Sequence, residues 1–388
     1  MKILVYEWNG YGYRDVKEVF QSLGIEIDRI GYAIIDNDAN RERKEEFLRK
    51  KLEEKINETV YDAVFSFNFF PVIASICNQK GMAYISWIYD SPCEDLYTKE
   101  SYYDCNHIFV FDREVVEELR RLGNNRVQYL PLGVHLDRLE RLQITQEDNL
   151  KYASEISFVG QTYSDKISID NAEIPMELMG YIEGILQSQK AIYGYDLLDK
   201  LLNESLTKEI LKYYPIGETG KACSISKRQK LLWDMGRMVT KRERIEILER
   251  LAKNYQVNLY TETIDEKLQN VNMKGAALYF SEAPKIFRLS KINLNITLKT
   301  IRSGIPLRVM DIVGAGGFCI SNYQQGILEE FEENKEIVLY YGLKDLEEKV
   351  NYYLKHDEER MQIRRNALER VKQCHTMQKR VEQMLQMV

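Results

Sequence analysis

Between residues 303 and 318 the chain reads SGIPLRVMDIVGAGGF, a run whose residue types could act together on one anionic ligand. Pro306 suits the first turn of a helix, where its missing N–H would have no partner in any case, and Ser303 stands close enough to cap that turn. Gly304 and Ile305 bring the backbone in, and the open amides of residues 304–307, with the helix dipole behind them, attract phosphate oxygens. Arg308 falls in the first turn, within reach of such an anion. Asp311 comes about one and a half turns from the start, where the ribose of a nucleotide would lie. A carboxylate there can accept from two neighbouring hydroxyls. Gly314, Gly316 and Gly317 let the helix end close on the following FCIS segment. The same pattern also fits a plain strand-to-helix crossover with a glycine exit.

Other candidates are scattered along the chain. Lys299 and Arg302 precede the helix and either neutralise a leaving diphosphate or stand solvated at the surface. In SFVGQTY, Gly160 is a diphosphate neighbour and Gln161 a hydrogen-bond donor at a strand end. In NGYGY (9–13), Asn9, Gly10 and Gly12 form an acceptor or phosphate loop after the first strand. The third glycine of a dinucleotide fingerprint is missing, so an ordinary glycine turn fits equally. WIYDSP sets Asp90 just past a strand, as a general base toward an acceptor hydroxyl or as a turn cap. Trp87 and Tyr89 beside it either stack on a sugar or belong to the core. His135, closing PLGVH, is the second catalytic candidate, and His107 starts a strand as a structural residue. Neither a DxD-like acidic pair at a strand end, a CxxC pair nor a histidine constellation is present, so no metal and no cofactor are expected.

Short apolar strands alternating with amphipathic helices must position these residues. KILVYEW, IEIDRI, YDAVFSF, AYISWI, HIFVF and VQYLPLG form the first series. EISFVGQ, QVNLYTE, ALYFS, NLNIT, FCIS and EIVLYY form the second. Such alternation predicts right-handed crossovers and parallel sheets. The charge-rich 137–154 reads as a linker, and 173–238 as a helical insertion suited to acceptor choice or self-association. Residues 1–140 and 141–375 are expected to form two Rossmann-like domains. Residues 376–388 are expected to form a helix near the junction.

At 388 residues the chain has room for two ordinary domains, and 44% hydrophobic with 29% charged residues is a globular balance. A formal net charge of −6 disfavours nucleic acid as a partner. No run is long enough to cross a bilayer. Six scattered cysteines, with no cleavable apolar leader, predict a cytoplasmic protein.

The run from 292 to 376 resembles the C-terminal domain of CgeB-type spore maturation proteins, within the broad class of GT-B glycosyltransferases. SWIYDSP, VFDRE and LPLGVH resemble the accompanying N-terminal domain, and ISFVGQTY the start of the nucleotide-binding half. The resemblance implies two Rossmann-like domains facing a cleft, 1–140 on the acceptor side and 141–375 binding the nucleotide sugar, and metal-independent transfer of a sugar. The donor would be a nucleotide diphosphate sugar, UDP-linked by expectation, and the acceptor a hydroxyl on a glycan, protein or small molecule. In many retaining members two glutamates eight residues apart mark this loop and helix. Here the ribose-binding one corresponds to Asp311, while the one near the sugar falls on Ser303, which is not acidic. An epimerase of the same fold and a non-catalytic nucleotide-sugar or glycan-binding module are the rival readings.

Overall fold

The computed structural model describes residues 1–8, 10, 12–31, 41–164, 169–217, 225–263 and 265–388. Two compact units emerge. The first contains Met1–His135 and His375–Val388, the second 136–217 and Ser226–Cys374.

In the first unit, β1 (Lys2–Glu7), β2 (Glu26–Gly31), β3 (Ala63–Phe67), β4 (Ala83–Ile88), β5 (Asn106–Val110) and β6 (Val127–Tyr129) form one sheet. Its order is β2-β1-β3-β4-β5-β6, and every pairing is parallel. The central β3, AVFSF, is buried along its whole length, as a strand covered by helices on both faces must be. Leu4, Val64, Tyr84 and Ile108 of the sheet pack with Ile73 and Ile76 from helix Pro71–Lys80. Each such apolar side chain contributes about 1.5–3 kcal/mol on burial. Asp112 caps helix Arg113–Arg121 by accepting from the Glu114 and Val115 amides.

The second unit repeats the plan with β7 (Ser154–Val159), β8 (Val257–Tyr260), β9 (Asn272–Met273), β10 (Ser290–Asn295), β11 (Cys319–Asn322) and β12 (Val338–Tyr340). Again all pairings are parallel, in the order β12-β11-β10-β7-β8-β9. The fold is therefore α/β with two Rossmann-like sheets, as the alternating pattern implies. Helices Met176–Lys190, Leu197–Leu201, Glu204–Tyr213 and Lys227–Ala252 bury a core of their own, including Ile182, Leu186, Ile210, Leu231 and Met235.

Three local expectations need correction. Residues 137–154 are not a loose linker but hold helices Leu136–Glu140 and Gln146–Tyr152, the latter opened by a Thr145–Asp148 capping box. Lys285 fastens Asp148 at 2.8 Å, and Arg288 donates to the Leu139 and Leu142 carbonyls. ALYFS (277–281) is a turn, not a strand, because Glu282 folds back to accept the Leu278 amide at 3.0 Å. Helix Lys227–Ala252 is continuous, so the helical stretch does not stop at 238.

Candidate functional site

In each open parallel sheet the strand order reverses at one place, and the carboxyl ends of the strands flanking it form the natural ligand crevice. In the second unit that place lies between β7 and β10. Arg244, from helix Lys227–Ala252, spans it. Its guanidinium donates to the Gln161 carbonyl at 2.6 Å and through Nε to the Ile296 carbonyl at 3.1 Å. The Phe158 and Tyr163 rings sandwich it at 5.2 and 5.0 Å. Burial lowers the Arg244 pKa, and the nearby positive charge of Arg308 pushes the same way. Tyr163 and the Glu243 carboxylate push the other way, and Arg308 has Asp311 beside it, so two guanidinium groups stand close together with acids near each.

The loop between β10 and helix Leu307–Gly314 is pinned on two sides. Lys299 donates its amide to the Thr240 hydroxyl, and the Thr297 amide reaches Asn322 Oδ1 at 2.7 Å. The Gly326 amide reaches the Ser303 carbonyl at 2.9 Å. A Cβ at Gly326 would stand 2.3 Å from that carbonyl oxygen, so only glycine fits. Ser303 is thus buried, and it does not cap the helix: Pro306 occupies the cap position with ψ 143° and no side chain caps the turn. Pro306 accordingly stands one place before the helical residues, not within them. Gly304 and Ile305 are buried beside it. Among the described residues, the amides of Gly304, Ile305, Leu307 and Arg308 donate to no backbone acceptor.

Asp311, on the same helix, accepts from the Tyr279 hydroxyl at 2.9 Å and lies 3.4 Å from the Arg308 guanidinium. Tyr279 is the residue that the misread 277–281 segment concealed. Of the glycine exit, Gly317 is the tight position, though against a neighbouring helix rather than FCIS: a Cβ there would meet the Phe287 carbonyl at 2.7 Å.

Lys299 is neither solvated nor unpaired. Its ammonium lies 3.2 Å from Glu243 and 4.0 Å from the centre of the Tyr193 ring, with its side chain 10% exposed. Tyr193 donates its hydroxyl to the same carboxylate, and burial drives its pKa upward. Arg302 is half-buried. Gly160 ends β7 with its amide on the Tyr260 carbonyl at 3.0 Å, and Gln161 turns its side chain outward while lending its carbonyl to Arg244.

In the first unit the reversal lies between β1 and β3. Trp8 bridges it, its indole N–H donating to the Phe67 carbonyl at 2.8 Å. Asn9 lies outside the described residues. The Gly10 amide closes onto the Trp8 carbonyl at 2.7 Å, and a Cβ there would stand 2.4 Å from the Tyr89 hydroxyl. Gly12 takes φ 92° at the start of helix Tyr13–Ser22, a conformation suited to glycine. Trp87 is buried against Phe67 and belongs to the core, whereas Tyr89 is half-buried and stacks on Trp8. Asp90 does not cap its turn; it accepts from Asn68 Nδ2 at 2.6 Å. It stands at the surface, yet enough protein surrounds the carboxyl to raise its pKa. His135 is buried, with Nε2 3.6 Å from Glu18. His107 lies within β5, and burial lowers its pKa.

A separate depression of about 440 Å³ lies in the second unit, lined by Lys190, Lys241, Arg242 and Lys267 among others. It shares no residue with the Asp311 helix. Among the described residues no group of three His, Cys, Asp or Glu side chains could hold a metal ion. Among the described residues, too, no helix is long and apolar enough to cross a membrane.

Residues 241–386 match a family described as glycosyl transferase-like. No curated protein matches the sequence. Among solved structures, HepE from Anabaena in complex with UDP and glucose superposes with a TM-score of 0.55, at 10% identity over 100% of this chain and 99% of that one. WaaG, a glycosyltransferase involved in lipopolysaccharide biosynthesis, gives 0.54 at 10% identity over 99% and 98%. A UDP-N-acetylglucosamine 2-epimerase so described from Listeria monocytogenes gives 0.53 at 8% over 99% and 94%. With its two Rossmann-like sheets, the chain has the fold of the GT-B glycosyltransferases, and its last 150 residues or so are similar in sequence to a glycosyl transferase-like family.

Proposed function

We propose that this protein is a glycosyltransferase that takes a sugar from a nucleotide diphosphate donor and passes it to a hydroxyl acceptor. The observation that carries the reading is the convergence at the β7/β10 crevice: Arg244 and Arg308, the start of helix Leu307–Gly314, and the Asp311 carboxylate beside Tyr279. The amides and guanidinium groups would hold the diphosphate and stabilise the charge that grows on it as the glycosidic bond breaks. Asp311 would bind the ribose hydroxyls, with Tyr279 and Arg308 holding the carboxylate in place. Lys299, paired with Glu243, would shape the loop rather than meet the phosphates.

UDP is the proposed nucleotide and a hexose the proposed sugar, in line with the UDP and glucose of the HepE complex. The first unit would take the acceptor, with Asp90 as general base and His135 as a residue that orients helix Tyr13–Ser22 through Glu18. We further propose that the enzyme is cytoplasmic, needs no divalent metal and belongs with the CgeB-type proteins. The epimerase-like neighbour keeps a second reading in view. Calorimetry with UDP and UDP-sugars, beside donor consumption with and without acceptors, tests the proposal. Donor consumption that rises with acceptor is expected. Conversion of the sugar without acceptor would mean an epimerase, and binding without turnover a non-catalytic module.

A further inference from the structure

The carboxyl ends of β1, β3 and β4 bring together a cluster that no comparison assigns. Asn68, just past β3, takes the left-handed φ of 57°, a conformation asparagine tolerates better than most residues. It is buried, and its carboxamide works in both directions. Oδ1 accepts the amides of Tyr89 and Asp90 at 3.1 and 3.2 Å, while Nδ2 donates to Asp90 Oδ2 at 2.6 Å. One side chain therefore fixes both the turn and the carboxylate on it. Beside the turn, the Trp8 and Tyr89 rings lie parallel, 8° apart with centroids at 5.9 Å, and both are half-buried. Because the Trp8 N–H is engaged with Phe67 and the ring packs on Tyr89 and Phe70, what the half-buried indole leaves exposed is apolar.

Asp90 forms no ion pair among the described residues, and burial and Asn68 are the influences on its charge. An incoming phosphate would meet a bare carboxylate with no cation to offset it. A neutral ligand with hydroxyls on one side and C–H groups on the other meets a hydrogen-bond acceptor and an aromatic surface. A pyranose ring has that form. We infer that the acceptor of the proposed transfer is a sugar, gripped in the first unit by Trp8, Tyr89 and Asp90, with Asn68 as the positioning residue. The inference rests on the glycosyltransferase reading for its meaning, but its site is separate from the donor residues.

Full-length protein is titrated without donor against methyl glucoside, methyl galactoside, glycerol and tetramethylammonium, with contact followed by saturation-transfer NMR. At least one glycoside is expected to bind while glycerol does not. Trp8→Phe, which keeps an aromatic ring but loses the indole, should weaken it roughly three- to tenfold. Binding of tetramethylammonium alone would overturn the inference in favour of an amine site, and binding of no probe would end it. Asn68→Asp keeps an acceptor for the two amides but sets a second charge against Asp90. Acceptor KM should rise while donor KM holds, in folded protein whose unfolding midpoint falls from the added charge, and Asn68→Gly, which tolerates the φ but lacks the carboxamide, should not restore it. An unchanged acceptor KM in Asn68→Asp would remove the positioning role. UDP binding followed in parallel separates the two failures: if UDP binds and no glycoside does, only this inference falls, whereas loss of both takes the enzyme reading with it.

Discussion

The two sheets share a topology and differ in what bridges their reversal points. In the first unit a neutral indole from the strand end itself crosses from β1 to β3. In the second a guanidinium from a distant helix crosses from β7 to β10. A buried charge is costly to desolvate, so its presence needs a compensating use. Two strand-end carbonyls and two aromatic faces supply part of that compensation. The Glu243 carboxylate adds to it, and the diphosphate of the proposed donor would add more. The neutral crossing carries no such demand and leaves room for a ligand defined by hydroxyls. On the proposed reading, one architecture would serve two chemistries through the group that closes each crevice.

Removing each bridge is the strongest way to break this contrast. Arg244→Met should destabilise the second unit by about 3–5 kcal/mol, because buried carbonyls lose charged donors, and should also lower UDP affinity. Urea unfolding and calorimetry read the two effects. Trp8→Phe leaves one carbonyl without its donor and should cost only about 1–2 kcal/mol, with UDP affinity unchanged. If both substitutions moved UDP binding alike, the division of labour would collapse.

Asp311→Ala should reduce donor affinity by about 1.5–3 kcal/mol in a folded protein, the size of charge-assisted hydrogen bonds. Tyr279→Phe should have a smaller effect in the same direction, about 1 kcal/mol. Unaltered calorimetric affinity in Asp311→Ala would sink the ribose assignment.

The smallest expected effect concerns pH. The Leu278 amide first, then Tyr152 and Lys151, hold the Glu282 carboxyl at about 2 against an ordinary 4.5. A depressed folded value means stability that is present above the unfolded pKa and lost as the pH falls toward the folded one. The second unit should therefore weaken between about pH 4.5 and 2, and Glu282→Gln should flatten that decline in thermal melts. A slope identical in both proteins would show that Glu282 does not hold the Tyr279 turn.

The parallel sheets were legible because buried strands write themselves as short apolar runs: AVFSF and SEISFV need no partner to be recognised. Asp311, Arg308 and the glycine exit were legible because helix starts and stops have local signatures. Arg244 was not. It sits in a periodic helix as one of several arginines, and its acceptors lie 83 and 52 residues away in sequence. Tyr279 was hidden by an apolar, aromatic run that satisfies strand propensity but folds as a turn once Glu282 takes the Leu278 amide. Asn68 carries no signal in the sequence, since nothing local says that its carboxamide reaches residues 89 and 90. Ser303 marks the opposite case. Its lack of an acid was plain in the sequence, but its burial under Gly326 depends on a glycine 23 residues on that only the folded chain explains.

Residues 375–388 return to the first unit. Val134 exchanges backbone hydrogen bonds with His375 and Met377, and a Cβ at Gly133 would stand 3.0 Å from the Met377 Cα. A ribosome makes that segment only after the whole second unit has been threaded out. The unit begun first is thus completed last, and until then helix Tyr13–Ser22 lacks the neighbour, Met377–Gln386, that covers it. A nascent chain would carry a bare apolar flank through most of its synthesis, which makes this the stage at which chaperones have something to hold.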